Sequence, residues 1–205
     1  MRYLKLYQQL KSFTVFSLSD IRLLESNFDP RRLVEWQAKG YLIKLRRGRY
    51  MFADQAAKLG EAGLFLTANR IYEPSYVSLE SALSYYNIIP ESVFTITSIS
   101  ARKTQRFETQ VGSFAYRSVK PTLFWGFAIH QFQGQPYKLA TLEKALLDFL
   151  YFRTDLKSQV NVSMLRFNET ELRQQLDFYW LHKYVAAFGS VMLQTRLDLV
   201  LSLFE

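Results

Sequence analysis

The stretch KLRRGR, residues 44–49, gathers four cations, Lys44, Arg46, Arg47 and Arg49, around one glycine with no acid among them. Side chains of this kind at this density neutralise phosphate oxygens and release the counterions condensed on a nucleic acid, so the affinity they give falls with salt. They supply affinity more than sequence choice. A solvated strand edge also carries lysine and arginine, but acids are then interspersed, because mixed signs keep a surface soluble at lower electrostatic cost. Upstream, Arg31 and Arg32 follow Asp29-Pro30. At a helix start the free amides and the dipole favour anions, so arginine there stands against the local field. Contact with guanine edges or phosphates gives it a reason. Glu35 and Lys39 share that predicted helix and join the candidate contact set. Ser17 and Ser19, at the start of the preceding helix, carry hydroxyls suited either to capping or to a phosphate oxygen.

The charge is localised. The chain of 205 residues has a net charge of +8, and residues 1–50 hold 11 of its 26 Lys+Arg and 4 of its 18 Asp+Glu, which leaves the remainder close to neutral. A local excess points to a polyanionic partner, where a uniform one would speak only to solubility.

Catalytic chemistry has less to build on. SLESALSYY contains Ser78, Glu80 and Ser81, but a serine nucleophile needs a base, and the two histidines, His130 and His182, fall on a predicted strand and in a predicted helical tail. Ser78 is expected to cap a helix. No cysteine and two histidines leave no ordinary zinc site. A magnesium-dependent nuclease would need Glu143, Asp148, Asp155 and Lys157 to converge, yet Asp155 and Lys157 follow a helix and not a strand. Lys144 and Asp148, four apart, are expected to pair on a helix surface. The expectation is a protein that is not an enzyme and has no cofactor.

These residues require elements to hold them. Leu4, Leu6, Tyr7 and Leu10 have helical spacing. Ser19 is expected to cap a short helix with Ile21, Leu23 and Leu24 inward. Asp29, Pro30 and Gly40 bound a third helix with Leu33, Trp36 and Val34 inward. Tyr41 to Arg46 alternate as a strand, Arg47-Gly48 turns, and Arg49 to Phe52 return. Helix, helix, helix, hairpin is the order of a winged helix-turn-helix. Beyond it, helices are predicted over 56–72, from Ser78 to before Pro90, and over 139–153. Strands are predicted over 93–100, as a hairpin around Val111-Gly112, and over 122–132. From 168 to 204 the chain reads as helical, broken near Gly189. The fold class is α+β: a winged helix-turn-helix over 1–55, then a mixed α/β domain over 56–205 with a small sheet and a helical tail over 160–205. No uninterrupted apolar run reaches membrane-spanning length, and the absence of cysteine fits a reducing, cytoplasmic setting.

Three blocks in this order, KGYLIKLRRGRYMF, EPSYVSLESALSYYNIIPE and YKLATLEKALLDFLYFR, resemble the AbiEi-type antitoxins of bacterial abortive-infection, or type IV toxin–antitoxin, systems. The resemblance covers roughly residues 13–153. It implies a transcriptional repressor that binds the double-stranded DNA of its own operator through the N-terminal unit. It also implies a phage-defence antitoxin opposing a nucleotidyltransferase-like toxin encoded alongside. The middle blocks carry the resemblance without stating a physical task. The aromatic residues mostly have core spacing, but Phe178, Tyr179, Trp180 and Tyr184 occupy several faces of one helix, which suggests a partner surface for a toxin or a second copy. A protein-interaction module without DNA binding and the nuclease are the alternatives.

Overall fold

The computed structural model describes residues 2–90 and 93–204. Met1 and Glu205, the ends of the two expected units, and Glu91, the last residue of the second block quoted above, lie outside them. The chain is α+β, with a three-stranded antiparallel sheet and a six-stranded mixed one.

Helix α1 (Tyr3–Leu10) leads to strand β1 (Phe16–Ser17), helices α2 (Leu18–Leu24) and α3 (Arg31–Ala38), and a hairpin of β2 (Leu42–Arg46) and β3 (Arg49–Phe52). The cap of α2 is Ser17 and not Ser19. Its hydroxyl accepts the Asp20 N–H at 3.2 Å while the Asp20 carboxylate accepts the Ser17 N–H at 2.6 Å. That reciprocal box needs an acid three residues on, and three residues after Ser19 stands Arg22. At α3 the Asp29 carboxylate accepts the Arg31 N–H at 2.9 Å. The helix closes with Gly40 N–H on the Gln37 carbonyl and Tyr41 N–H on the Trp36 carbonyl, the paired bonds of a Schellman end. Ile21, Leu33 and Trp36 are buried, whereas Leu23, Leu24 and Val34, expected inward, are exposed. Leu23 lies about 200° around the helix from Ile21, and Val34 about 100° from Leu33, so neither can share the narrow stripe these short helices turn inward.

The small sheet, in order β1-β3-β2, is apolar on both faces. Phe16, Leu42 and Phe52 pack with Leu6, Leu10, Ile21, Phe28, Leu33 and Trp36 of the helices. Val15, Leu45 and Met51 enter the core of the rest of the chain. The buried Gln135 ties the two together, donating to the Ser12 carbonyl at 2.9 Å and to Thr14 Oγ1 at 3.0 Å.

The larger unit runs α4 (Ala53–Ala56), α5 (Gly60–Ile71), β4 (Ser75–Val77), α6 (Leu79–Tyr85), β5 (Thr95–Ser100), β6 (Gln105–Thr109), β7 (Gly112–Ser118), β8 (Phe127–Phe132), β9 (Gln135–Ala140), α7 (Leu142–Phe152), α8 (Gln159–Ser163), α9 (Glu169–Gln175), α10 (Phe178–Phe188) and α11 (Val191–Leu201). Its sheet order is β6-β7-β5-β4-β9-β8. Strands β5 and β7 are parallel, and β4 meets β9 in parallel at Val77 and Leu139. Helix α5 covers one face, where the Tyr116 hydroxyl donates to the Ala68 carbonyl at 2.6 Å. Helices α6 and α7 lie on the other. Strands β4 and β9 are additions to the sequence reading: Pro74 marks a turn locally, and their pairing is set by partners distant in the chain.

The helical segment from residue 160 to residue 203 packs on the body of the chain. Val162, Leu172, Leu181, Leu193 and Leu197 belong to the main core. Arg196 of α11 donates to carbonyls in the last turn of α7, Leu150 at 3.0 Å and Tyr151 at 3.3 Å, tying α11 to that helix end.

Candidate functional site

The structure divides the basic candidates into two groups. Arg31, Arg32, Lys44 and Arg47 are exposed. Arg47 sits with Gly48 (φ +78°) in the two-residue hairpin turn. A depression of about 250 Å³ lined by Gln37, Gly40, Lys44 and Gln110 joins the end of α3 to the hairpin. Glu35 and Lys39 pair with each other across one helical turn at 2.6 Å, and the Lys39 hydrogen bond holds the Glu35 carboxyl below its ordinary value. Ser17 is buried in its capping box, with its hydroxyl donating to Asp20 at 2.8 Å. Ser19 is exposed in the first turn of α2.

Arg46 and Arg49 belong to the second group. They are only partly exposed and lie against the larger unit, so the hairpin is not a free finger. Arg49 donates from Nε to the Arg70 carbonyl at 3.0 Å and from Nη2 to Glu73 at 3.1 Å. Arg70 meets the other Glu73 oxygen at 3.2 Å. Arg102, its guanidinium 4.8 Å from the centre of the Tyr72 ring, donates to the Glu73 carbonyl at 3.1 Å. The Arg46 guanidinium stands 5.8 Å from the Phe107 ring centre. Two arginines thus meet the Glu73 carboxylate, a third meets its backbone carbonyl, and Arg46 stands beside Arg49 and Arg102 with no carboxylate contact among the described residues. Burial first, then the charges of Arg49 and Arg102, push the Arg46 guanidinium below its ordinary value. Its Nε is buried without a hydrogen-bond partner among the described residues. Arg70, Glu73 and Arg102 escaped the sequence reading; the Arg70–Glu73 spacing of three was the local sign of a pair.

A second charged centre lies in the interior. Lys144 and Asp148 do pair, but inside the core and not on a helix surface: both side chains are fully buried. Asp148 also accepts the Tyr76 hydroxyl at 2.9 Å and the Ser78 hydroxyl at 2.8 Å. The Lys144 ammonium is ringed by Phe188, Trp125 and Tyr76, at 4.5, 4.8 and 5.5 Å from the ring centres, a favourable setting for a desolvated cation. Burial pushes the Asp148 carboxyl up and the Lys144 amine down, and each partner opposes the other's shift. Ser78 stands at the cap position of α6 but makes no capping bond, because its hydroxyl is turned to Asp148. The middle blocks of the sequence therefore meet in one polar network, with Tyr76 and Ser78 from one and Lys144 and Asp148 from the other.

The remaining ionisable candidates are separated. Glu143 accepts the Asp177 N–H at 3.0 Å, and Asp155 pairs with Arg153 at 2.7 Å, which holds its carboxyl down at about 2. Among the described residues no three His, Cys, Asp or Glu side chains gather to hold a metal. His130 stacks on Tyr137, and His182 Nδ1 meets the Phe178 carbonyl. On α10, Phe178, Tyr179 and Trp180 are exposed, while Tyr184 packs on Trp125 at 4.8 Å between ring centres.

No protein-family model matches the sequence, and no curated protein matches it. Among the described residues no helix is long and apolar enough to cross a membrane.

Proposed function

We propose that this chain is a DNA-binding transcriptional repressor that acts as the antitoxin of a two-gene abortive-infection system. In this reading the N-terminal unit is a winged helix-turn-helix, α3 enters the major groove of operator DNA, and the β2–β3 hairpin lies along the backbone as its wing. The observation that carries it is the set of exposed cations, Arg31 and Arg32 on α3 with Lys44 and Arg47 on the hairpin, in the one strongly basic quarter of the sequence. Arg46 and Arg49, docked on the larger unit, brace the wing and add to its positive field. Ser19 is placed to meet a phosphate at the start of α2, and Glu35 with Lys39 stands beside the contact face. The antitoxin role, against a nucleotidyltransferase-like partner, rests on the resemblance of the three sequence blocks to AbiEi-type proteins.

The test is fluorescence anisotropy with the DNA upstream of the gene at several salt concentrations. Replacing Lys44 and Arg47 by alanine should weaken binding and lower the salt slope by about 2. Arg31→Ala should relax sequence preference as well. Undetectable binding to that DNA, or a slope unchanged by the double substitution, would refute the assignment. Co-expression with the product of the adjacent gene tests the antitoxin role: rescue of growth supports it, and its absence removes it while leaving the repressor reading in place.

A further inference from the structure

A cavity unconnected with the hairpin lies on the side of the large sheet opposite α5, at the end where α6 and α7 leave β6 and β7 uncovered. It measures about 260 Å³, and Arg106 of β6, Arg117 of β7 and Arg153 at the end of α7 line its walls with Glu80, Thr95 and Thr97. The alternation of β7 explains the placement. Phe114 and Tyr116 face the buried side, so Ala115 and Arg117 face the cavity.

The three guanidinium groups are not equally engaged. Arg153 binds Asp155 through both Nε and Nη2 and stands 5.2 Å from the Phe149 ring centre. Arg106 binds Glu108 through Nε alone. Arg117 has no ion-pair partner or side-chain hydrogen bond among the described residues and lies 5.6 Å from the Phe152 ring centre, which leaves its donors open. One open guanidinium and one half-engaged neighbour form a fork that suits a phosphate group. The cavity continues into a larger groove of about 590 Å³, sharing Glu80, Thr95 and Phe149 with it and walled further by Met164, Leu165 and Phe167. A groove of that size and lining takes the body of a small organic ligand. Glu80, between the two compartments, is an acceptor for a hydroxyl or an amino group.

We propose that this cavity binds a nucleoside monophosphate, its phosphate on Arg106 and Arg117, its sugar hydroxyls on Glu80, and its base in the apolar groove against Phe149. The site is independent of the proposed nucleic-acid interface and uses none of its residues. It is tested by isothermal titration calorimetry of the full chain with AMP, GMP and inorganic phosphate as probes. The expected result is saturable one-to-one binding of at least one nucleotide, tighter than inorganic phosphate. Arg117→Ala, and separately Arg106→Ala, should weaken it by about 10-fold, with circular dichroism unchanged. Glu80→Gln should weaken the nucleotide and leave inorganic phosphate unaffected. The Lys44→Ala, Arg47→Ala variant should bind nucleotide as the parent does. Absence of saturation at millimolar nucleotide, an affinity equal to the parent's in Arg117→Ala or in Arg106→Ala, loss of binding in the hairpin variant, or phosphate binding as tightly as nucleotide would each overturn the proposal.

Discussion

The hairpin and the interior of α7 solve the same electrostatic problem with opposite results. Each sets cations beside a carboxylate and aromatic rings. Around Asp148 the account closes: one ammonium and two hydroxyls meet it, three rings surround the ammonium, and both side chains are dry. Around Glu73 it stays open: the carboxylate meets Arg49 and Arg70, Arg102 reaches only its backbone carbonyl, and Arg46 beside them keeps a guanidinium nitrogen without a hydrogen-bond partner among the described residues. A closed network specifies a fold, because any rearrangement strands a buried charge. An open one at the surface keeps a positive field for something outside the chain.

The hardest way to break this comparison is Asp148→Ala. It leaves a buried ammonium and two hydroxyls unmatched, and chemical denaturation should show a loss of about 3–5 kcal/mol. Adding Lys144→Met should recover part of that loss by removing the stranded charge. A loss under about 1 kcal/mol would place the pair in contact with water and end the contrast.

Two glycines sharpen it next. Gly126 and Gly48 have the same φ of +78°, but a Cβ on Gly126 would lie 2.8–3.0 Å from the Lys144 side chain, while one on Gly48 meets nothing within 4 Å. Gly48→Ala should cost about 1 kcal/mol from backbone strain alone. Gly126→Ala should cost that and about 1–3 kcal/mol more for overpacking against a side chain that cannot yield. Equal costs would mean the lysine cage is loose.

At the hairpin the effects are smaller and appear in binding. Lys44→Ala with Arg47→Ala should reduce DNA affinity by about 10-fold at moderate salt. Glu73→Gln should act the other way and raise it by about 2- to 5-fold, since Arg49 and Arg70 lose the carboxylate that competes with phosphate. A fall in affinity would mean that Glu73 chiefly orders the arginines.

The tyrosines give the pH counterpart. Burial, with the charges of Tyr85 and Glu143 adding to it, pushes the Tyr86 hydroxyl up to about 12, and burial also raises those of Tyr76 and Tyr116. A folded-state value above the unfolded value near 10 means stability present below about pH 10 and lost as pH rises through the folded value. Ultraviolet titration should therefore show a fraction of the 13 tyrosines ionising only with unfolding.

Much of the N-terminal unit was legible because its signals are local. Asp29, Pro30 and Gly40 bound α3 as their chemistry demands, and the turn at Arg47-Gly48 falls where expected. What was not legible depends on partners far along the chain. The hydroxyl of Ser78 leaves its cap for a carboxylate 70 residues away. Lys144 and Asp148 have the spacing of a surface pair, and only the rings of Tyr76, Trp125 and Phe188 reveal it as interior. Arg46 and Arg49 look like a free tip until Glu73 and Phe107 are brought beside them. Periodicity tells which way a residue points within its element and nothing about what stands opposite.

The two-faced small sheet has a consequence for modularity. A fragment cut near residue 56 would carry Val15, Leu45 and Met51 into water as a bare apolar face, so it should be poorly soluble or self-associate. Grafting this unit onto another protein would require a substitute for the strand and helix that now cover it. The N-terminal unit and the larger one are in that sense one heritable piece, exchanged together or not at all.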